Sequence, residues 1–206
     1  MLTDEQVGQW LLAISDGQID RLRAYRNRDV LEQHSFEFWN KSLQRAAGGA
    51  DDPIEVLEHV LELAERGGFP ARHEMNRLLT LACAAGNLRC VQRLIARDAF
   101  VFSRDTRKRN CLTIAAARGH LDIVQALIRA GSAIDLVDKN GNTALYHAVE
   151  GLHENVITYL RGLGTDANHR NEAGQSPMTL AEGLPEIQMP GLRHSDGART
   201  GMVTFI

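Results

Sequence analysis

Apolar side chains fall three and four residues apart twice between positions 112 and 128. They do so first at Leu112, Ala115 and Ala116 and then at Val124, Leu127 and Ile128, with the polar Arg118-Gly119-His120 between the two sets. Such spacing lays one apolar stripe along each of two consecutive helices. Gly119 permits a turn tight enough to fold the second helix back on the first, and Gly131 can take the left-handed conformation that ends it. The pattern recurs 33 positions later at Leu145, Ala148, His153, Leu160 and Gly164, and 33 positions earlier at Leu79, Ala82, Gly86, Val91, Leu94 and Ile95. An active site rarely needs one phrase repeated, whereas a stack of equivalent units does. The periodicity therefore predicts three consecutive units, 72–104, 105–137 and 138–170, each a helical hairpin followed by a loop.

The flanks read as weaker versions of the same unit. Thr3, three residues before Gln6, predicts a capping box opening a helix. Leu12, Ala13, Gly17, Ile19, Asp20 and Leu22 keep the order of Ile114, Ala115, Gly119, Leu121, Asp122 and Val124. A second early unit would place Leu43, Ala46 and Ala47 on its first helix and 54–66 on its second, with Pro53 near the helix start and Gly67-Gly68 past its end. Residues 1–70 are thus expected to form degenerate units, an irregular N-terminal cap, because a terminal unit turns one face to water. Trp10, Phe36, Phe38 and Trp39 read as core of that cap. At the other end, 171–183 supplies half a unit, and 184–206 is a tail with two prolines, three glycines and no helical period. Met202, Val203, Phe205 and Ile206 either fold back over the uncovered half unit or fray.

The stretches DKNGNTALYHAVEGLHENVITYLRGLGTDA (138–167) and NEAGQSPMTLA (171–181) resemble the ankyrin repeat. That family's pattern runs Asp, Gly, Thr-Pro-Leu-His, Ala-Ala, Gly-His, Val, Leu-Leu and Gly-Ala. The likeness is strongest over 72–182. It implies an all-α solenoid of stacked helix-turn-helix units with hairpin-like finger loops, one continuous domain. Three departures bear on local geometry. Tyr146 stands where the family usually has His, Leu152 replaces the glycine between the helices, and Asp98 replaces the glycine closing a second helix. Of these, Asp tolerates the left-handed region better than most side chains.

Composition adds limits. A chain of 206 residues, 44% of them hydrophobic, can bury a sizeable core. A formal charge of −3 gives no general attraction to nucleic acid or anionic membrane, so any electrostatic partner is met by a local patch. The opening MLTDEQVGQW has no basic segment followed by an apolar run, which leads us to expect a cytoplasmic protein. Cys83, Cys90 and Cys111 match no common zinc spacing and read as small packing residues in a reducing compartment.

Motifs for chemistry fail in turn. His73-Glu74 begins like HExxH, but the second ligand would fall on Arg77. His147 and His153 have no third ligand in view, so no metal is expected. The glycines of 162–167 superficially fit a dinucleotide loop, yet they close a helix where that loop opens one. No phosphate-cradling loop or nucleophile elbow occurs, and no cofactor or small-molecule substrate is implied. Cys83 and Cys90 remain candidate nucleophiles by residue type, but they occupy core positions of the repeat.

The resemblance places partner contacts on the finger tips and the open face of the first helices. Those positions hold His73, Glu74 and Asn76, then Thr106, Arg107, Arg109 and Arg118, then Lys139, Asn140, Asn142, Tyr146 and Glu150, then Glu172 and Gln175. Arg104, Arg107, Lys108 and Arg109 put four cations within six residues. Such a run is ordinarily a solvated loop, but on a finger tip it can clamp an acidic partner through arginine–carboxylate forks. Glu55, Glu58, Glu62 and Glu65 share one helix face, either a solvated convex surface or a dock for a basic patch. The expected function is a non-catalytic scaffold that recognises one protein, in the form of an immunity protein neutralising a toxin or other enzyme. The alternatives are a bacterial host-directed effector and an enzyme with an unrecognised site in 1–70.

Overall fold

Among the described residues, the last three first helices of the repeating region each open at a side chain that satisfies the helix's own orphan N–H groups. Asn110, Thr143 and Ser176, spaced 33 apart, accept the backbone N–H of Thr113, Tyr146 and Thr179. An exposed orphan N–H at each start would otherwise favour fraying. The structure, a computed structural model, describes residues 3–24, 36–48, 54–66 and 71–184; the side chains of 36–40, 48, 54, 65 and 71–74 lie outside that description.

The described residues form α1 (Asp4–Ser15), α2 (Ile19–Ala24), α3 (Phe36–Gly48), α4 (Ile54–Arg66), α5 (Ala71–Ala85), α6 (Leu88–Ala96), α7 (Cys111–Ala117), α8 (Leu121–Arg129), α9 (Ala144–Glu150), α10 (Glu154–Gly162) and α11 (Pro177–Glu182). No strand is present among them; Arg104 and Asn110 form an isolated antiparallel bridge. Odd-numbered helices pack in one row, α1 on α3, α3 on α5 and onward to α11, while α2, α4, α6, α8 and α10 pack in a second. Each odd helix also packs on its even successor, as α7 does on α8. The all-α stack implied by the ankyrin likeness is thus the observed architecture.

The core is continuous between the two rows. Leu43, Leu57, Leu78, Leu79, Leu94 and Leu112 are all fully buried, and Trp10 is buried with its indole N–H donated to Ser42 Oγ at 3.1 Å. Thr3 and Gln6 form the capping box of α1. Phe36, Phe38 and Trp39, and the tail 185–206 with Met202, Val203, Phe205 and Ile206, lie outside the described side chains.

Neighbouring units interlock at the turn between their helices. Gly86 and Gly119 adopt φ of +79° and +75°, and a Cβ on either would come within 2.7 Å of the His120 ring or 2.5 Å of the His153 ring. The glycine thus supplies both the left-handed turn and the space for the next unit's imidazole. His153 Nε2 lies 3.2 Å from the carbonyl of Ala117, and His120 hydrogen-bonds the Ala84 carbonyl. Each histidine therefore covers an orphan carbonyl at the end of the preceding first helix.

At two of the departures the backbone keeps the family's turn at a cost. Leu152 has φ +59° and Asp98 φ +63°, so both side chains sit in the left-handed region that glycine occupies at Gly119 and Gly131. Packing of the flanking helices imposes the turn on Leu152, whose own preference opposes it.

Candidate partner-binding face

Three loops ahead of α7, α9 and α11 share one construction in register. Asp105 Oδ1 accepts the N–H groups of Arg107 and Arg109 at 2.8 and 2.9 Å. Asp138 Oδ1 accepts those of Asn140 and Asn142 at 2.8 and 2.9 Å. Asn171 Oδ1 accepts those of Ala173 and Gln175 at 3.0 and 2.9 Å. Each loop is closed at its base by a main-chain bond, such as Asp138 N–H to the Asn142 carbonyl at 2.9 Å. Each also needs one left-handed residue at its tip, supplied by Lys108, Gly141 and Gly174. These local bonds let a short side chain replace the pairing a longer hairpin would need.

The tips are also joined in series. Lys139 donates its backbone N–H to the Arg107 carbonyl at 3.1 Å, and Glu172 donates to the Asn140 carbonyl at 3.0 Å. The row is therefore held by main chain and by three Asx side chains, while Thr106, Arg107, Lys108, Lys139, Asn140 and Glu172 project into solvent. Arg118 and Glu150 are exposed at the far ends of α7 and α9. Those helices have 7 residues each, so the two side chains lie about 10 Å from the tips along the helix axes.

Two residues expected on this surface are internal. Asn142 and Tyr146 are each only 7% exposed. Asn142 Oδ1 accepts from Asn171 Nδ2 at 2.7 Å, which ties two fingers together. The Tyr146 hydroxyl donates to Gln175 Oε1 at 3.0 Å. Burial first, then the Glu150 charge, raises the Tyr146 phenol above its usual value. Arg109 is half-buried and already committed, its guanidinium bonding Asp105 Oδ2 at 2.7 and 2.8 Å. Burial alone would raise the Asp105 carboxyl, but the Arg109 fork and the two N–H groups outweigh it and hold the group below the usual carboxylate range. The side chain of His73, in the first turn of α5, lies outside the described residues.

Behind the second finger, His147 sits between two carboxylates, with Nε2 2.9 Å from Asp138 Oδ2 and Nδ1 3.1 Å from Glu150 Oε2. Burial pushes Asp138 up, yet the Asn142 N–H, His147 and the Asn140 N–H together bring it below the usual range. Both ring nitrogens are occupied, which ties the finger to the first helix. The thiols are also in the core: Cys83, Cys90 and Cys111 are buried and unpaired by disulfide. Burial raises the Cys90 pKa to about 11, and the hydrogen bond with Cys111, then burial, raises Cys83. Neither carries a thiolate poised for attack.

The acidic face of α4 turns towards its neighbours. Glu58 pairs with Arg93 of α6 at 2.5 Å, and Glu55 with Arg23 of α2 at 4.0 Å. The Glu55–Arg23 pair is largely solvated and the Glu58–Arg93 pair partly so, and each contributes little to stability. Their effect is to balance charge between adjacent second helices. Among the described residues no helix is long and apolar enough to cross a membrane.

A row of helical hairpins joined by bonded fingers defines a helical-repeat protein. The model of the family described as ankyrin repeats matches residues 78–181 as 3 copies. Over 65 residues the chain is 37% identical to an ankyrin repeat protein of Acanthamoeba polyphaga mimivirus, a stretch that is 32% of this chain and 9% of that protein. The chain belongs to the ankyrin-repeat family, whose repeats serve as protein-interaction scaffolds.

One group on this side of the molecule escaped the sequence reading. Phe100 and Phe102, in the segment leading to the first finger, are 58% and 37% exposed with ring centroids 5.2 Å apart. The signal was present in the repeat register. The positions 33 and 66 residues after Phe100 hold Ala133 and Asp166, and those after Phe102 hold Asp135 and Asn168.

Proposed function

We propose that this protein is a preordered scaffold that recognises one protein partner through its finger tips and the exposed ends of its first helices. Arg107, Lys139, Asn140 and Glu172 would make the tip contacts, and Arg118 and Glu150 the contacts further along α7 and α9. His73 belongs to the same reading at the start of the array, and Arg109 contributes by fixing the first finger through Asp105. One observation carries the proposal: the tips satisfy their own backbone and bond one another, so their exposed side chains have no structural duty. Preordering of this kind lowers the entropy lost on binding, and affinity then rests on a few anchors.

The units 72–104, 105–137 and 138–170, with the cap 1–70 and the half unit 171–183, act in this reading as one continuous stack. Its biological form is an immunity protein in the cytoplasm that occludes the active site of a toxin or other enzyme, with an acidic patch on the partner facing Arg107 and Lys139. Purification from the native source should yield a stoichiometric protein partner. The combined Arg107→Glu and Lys139→Glu changes should weaken that complex and relieve inhibition of the partner's activity. A partner whose affinity ignores both reversals would rule out this face. A partner that binds normally but is not inhibited would rule out the immunity role while leaving the scaffold.

A further inference from the structure

The fold does not require an aromatic side chain at position 100 or 102. Along this segment Ala99 and Val101 point inwards, 6% and 7% exposed, while Phe100 and Phe102 alternate outwards. In the next unit the inward position is Ile134 and the outward ones are Ala133 and Asp135. Two large apolar rings where equivalent positions carry Ala, Asp or Asn leave a paired apolar surface in water that the repeat itself does not use. The segment holding them is fixed. Asn76 Oδ1 accepts the Phe100 N–H at 2.8 Å, and the Ser103 hydroxyl donates to the Phe100 carbonyl.

The neighbouring charges say what kind of partner suits the rings. Arg104, Arg107 and Lys108 are exposed within the next six residues, and among the described residues none of the three has a carboxylate in ion-pair range. The one acid in their midst, Asp105, is saturated by Arg109 and two backbone N–H groups. An apolar pair beside three uncommitted cations matches a chain segment carrying both bulky apolar residues and carboxylates. Asp98 and Asp105 lie in the same segment and add negative charge that disfavours a phosphate backbone.

We infer that Phe100 and Phe102, with Arg104, Arg107 and Lys108, form a docking site for an acidic protein segment that inserts an apolar side chain against the ring pair. The inference rests on the scaffold reading above and names the chemistry of the partner at one end of that face. The aromatic anchors supply affinity, and the cations that follow them in the segment supply rate and orientation.

The test is to select peptides from a random displayed library on the full chain and measure the selected peptides by fluorescence anisotropy. Enriched peptides should pair Asp or Glu with Leu, Ile, Phe or Trp. The combined Phe100→Ala and Phe102→Asp changes should weaken them about tenfold, as hot-spot anchors do. The combined Arg107→Glu and Lys108→Glu changes should do the same, with affinity falling as salt rises. Both variants alter exposed side chains, and an unchanged urea midpoint verifies their fold. The inference is overturned if no peptide is selected, if acidic residues are not enriched, or if binding survives loss of the rings. Tighter binding of oligothymidylate, lost with the same rings, would overturn it in favour of single-stranded nucleic acid. A native partner lost on reversal of Arg107 and Lys139 but kept without the rings would remove this inference and leave the scaffold standing.

Discussion

Replacing Gly119 by alanine tests the interlock between units, because Gly131 provides a matched control. Both glycines are left-handed, at φ +75° and +88°. A Cβ at Gly131 meets nothing within 4 Å, whereas one at Gly119 would lie 2.5 Å from His153 Nδ1. A left-handed alanine costs roughly 1–2 kcal/mol, of which about 0.4–1 returns through the reduced entropy of the unfolded chain. Gly131→Ala is therefore expected to destabilise by about 1 kcal/mol or less. Gly119→Ala bears the same cost and must also move the His153 ring off the Ala117 carbonyl, 3.2 Å away, forfeiting a hydrogen bond worth about 0.5–1.5 kcal/mol. The total for Gly119→Ala is about 2 kcal/mol, and the gap between the two variants about 1 kcal/mol, or about 3 °C in Tm for a chain of this size. Urea unfolding at matched pH reads the gap as a difference in midpoint at constant slope. In a His153→Ala background the extra cost should vanish, leaving Gly119→Ala equal to Gly131→Ala. Equal costs in the wild-type background would refute the interlock and reduce both glycines to simple turn formers.

The remaining predictions concern strain, charge and the thiols. Leu152→Gly should stabilise the chain by about 0.5–1 kcal/mol in a thermal melt, since relief of the left-handed leucine exceeds the entropy that glycine adds to the unfolded state. Asp105 and Asp138 have folded pKa values below those of the unfolded chain, so their contribution is complete above the ordinary carboxylate pKa and is lost as pH falls below it towards each group's own lower value. Asp138→Asn can keep the two N–H bonds, as Asn171 does in the third finger, and should flatten the acid limb of a stability–pH curve. Cys83, Cys90 and Cys111 should resist a disulfide-exchange thiol reagent in the native state near pH 8 and react fully in urea; rapid native labelling would contradict their burial.

Much of the stack is legible in the sequence because its physics repeats. Each unit must bury the same stripe and turn at the same place, so Leu112, Gly119, Val124 and their counterparts declare themselves at a fixed interval. The turn at Leu152 is less legible. Local preference argues against a left-handed leucine, and only the packing of α9 on α10 imposes it. The partner face is less legible in the sequence than the helices. Tyr146 and Asn142 sit at positions that a helical wheel and a loop pattern leave open, yet contacts 29 residues away bury both, through Gln175 and Asn171. Arg109 has the same residue type and loop position as Arg107, but Asp105, four residues earlier, holds it. Phe100 and Phe102 show the reverse case: they look like ordinary apolar residues until the register reveals what other units place there.

The central claim is that the finger row is a rigid surface with side chains to spare. Amide hydrogen exchange of the chain, free and in its native complex, tests this most directly. The account predicts slow exchange at Arg107, Arg109, Asn140, Asn142, Ala173 and Gln175 in the free chain, where each donates to an Asx carboxylate or amide oxygen. Complex formation should add protection along these loops and at the ends of α7 and α9. Fast exchange at the tips of the free chain, or new protection confined to α6, α8 and α10, would contradict it.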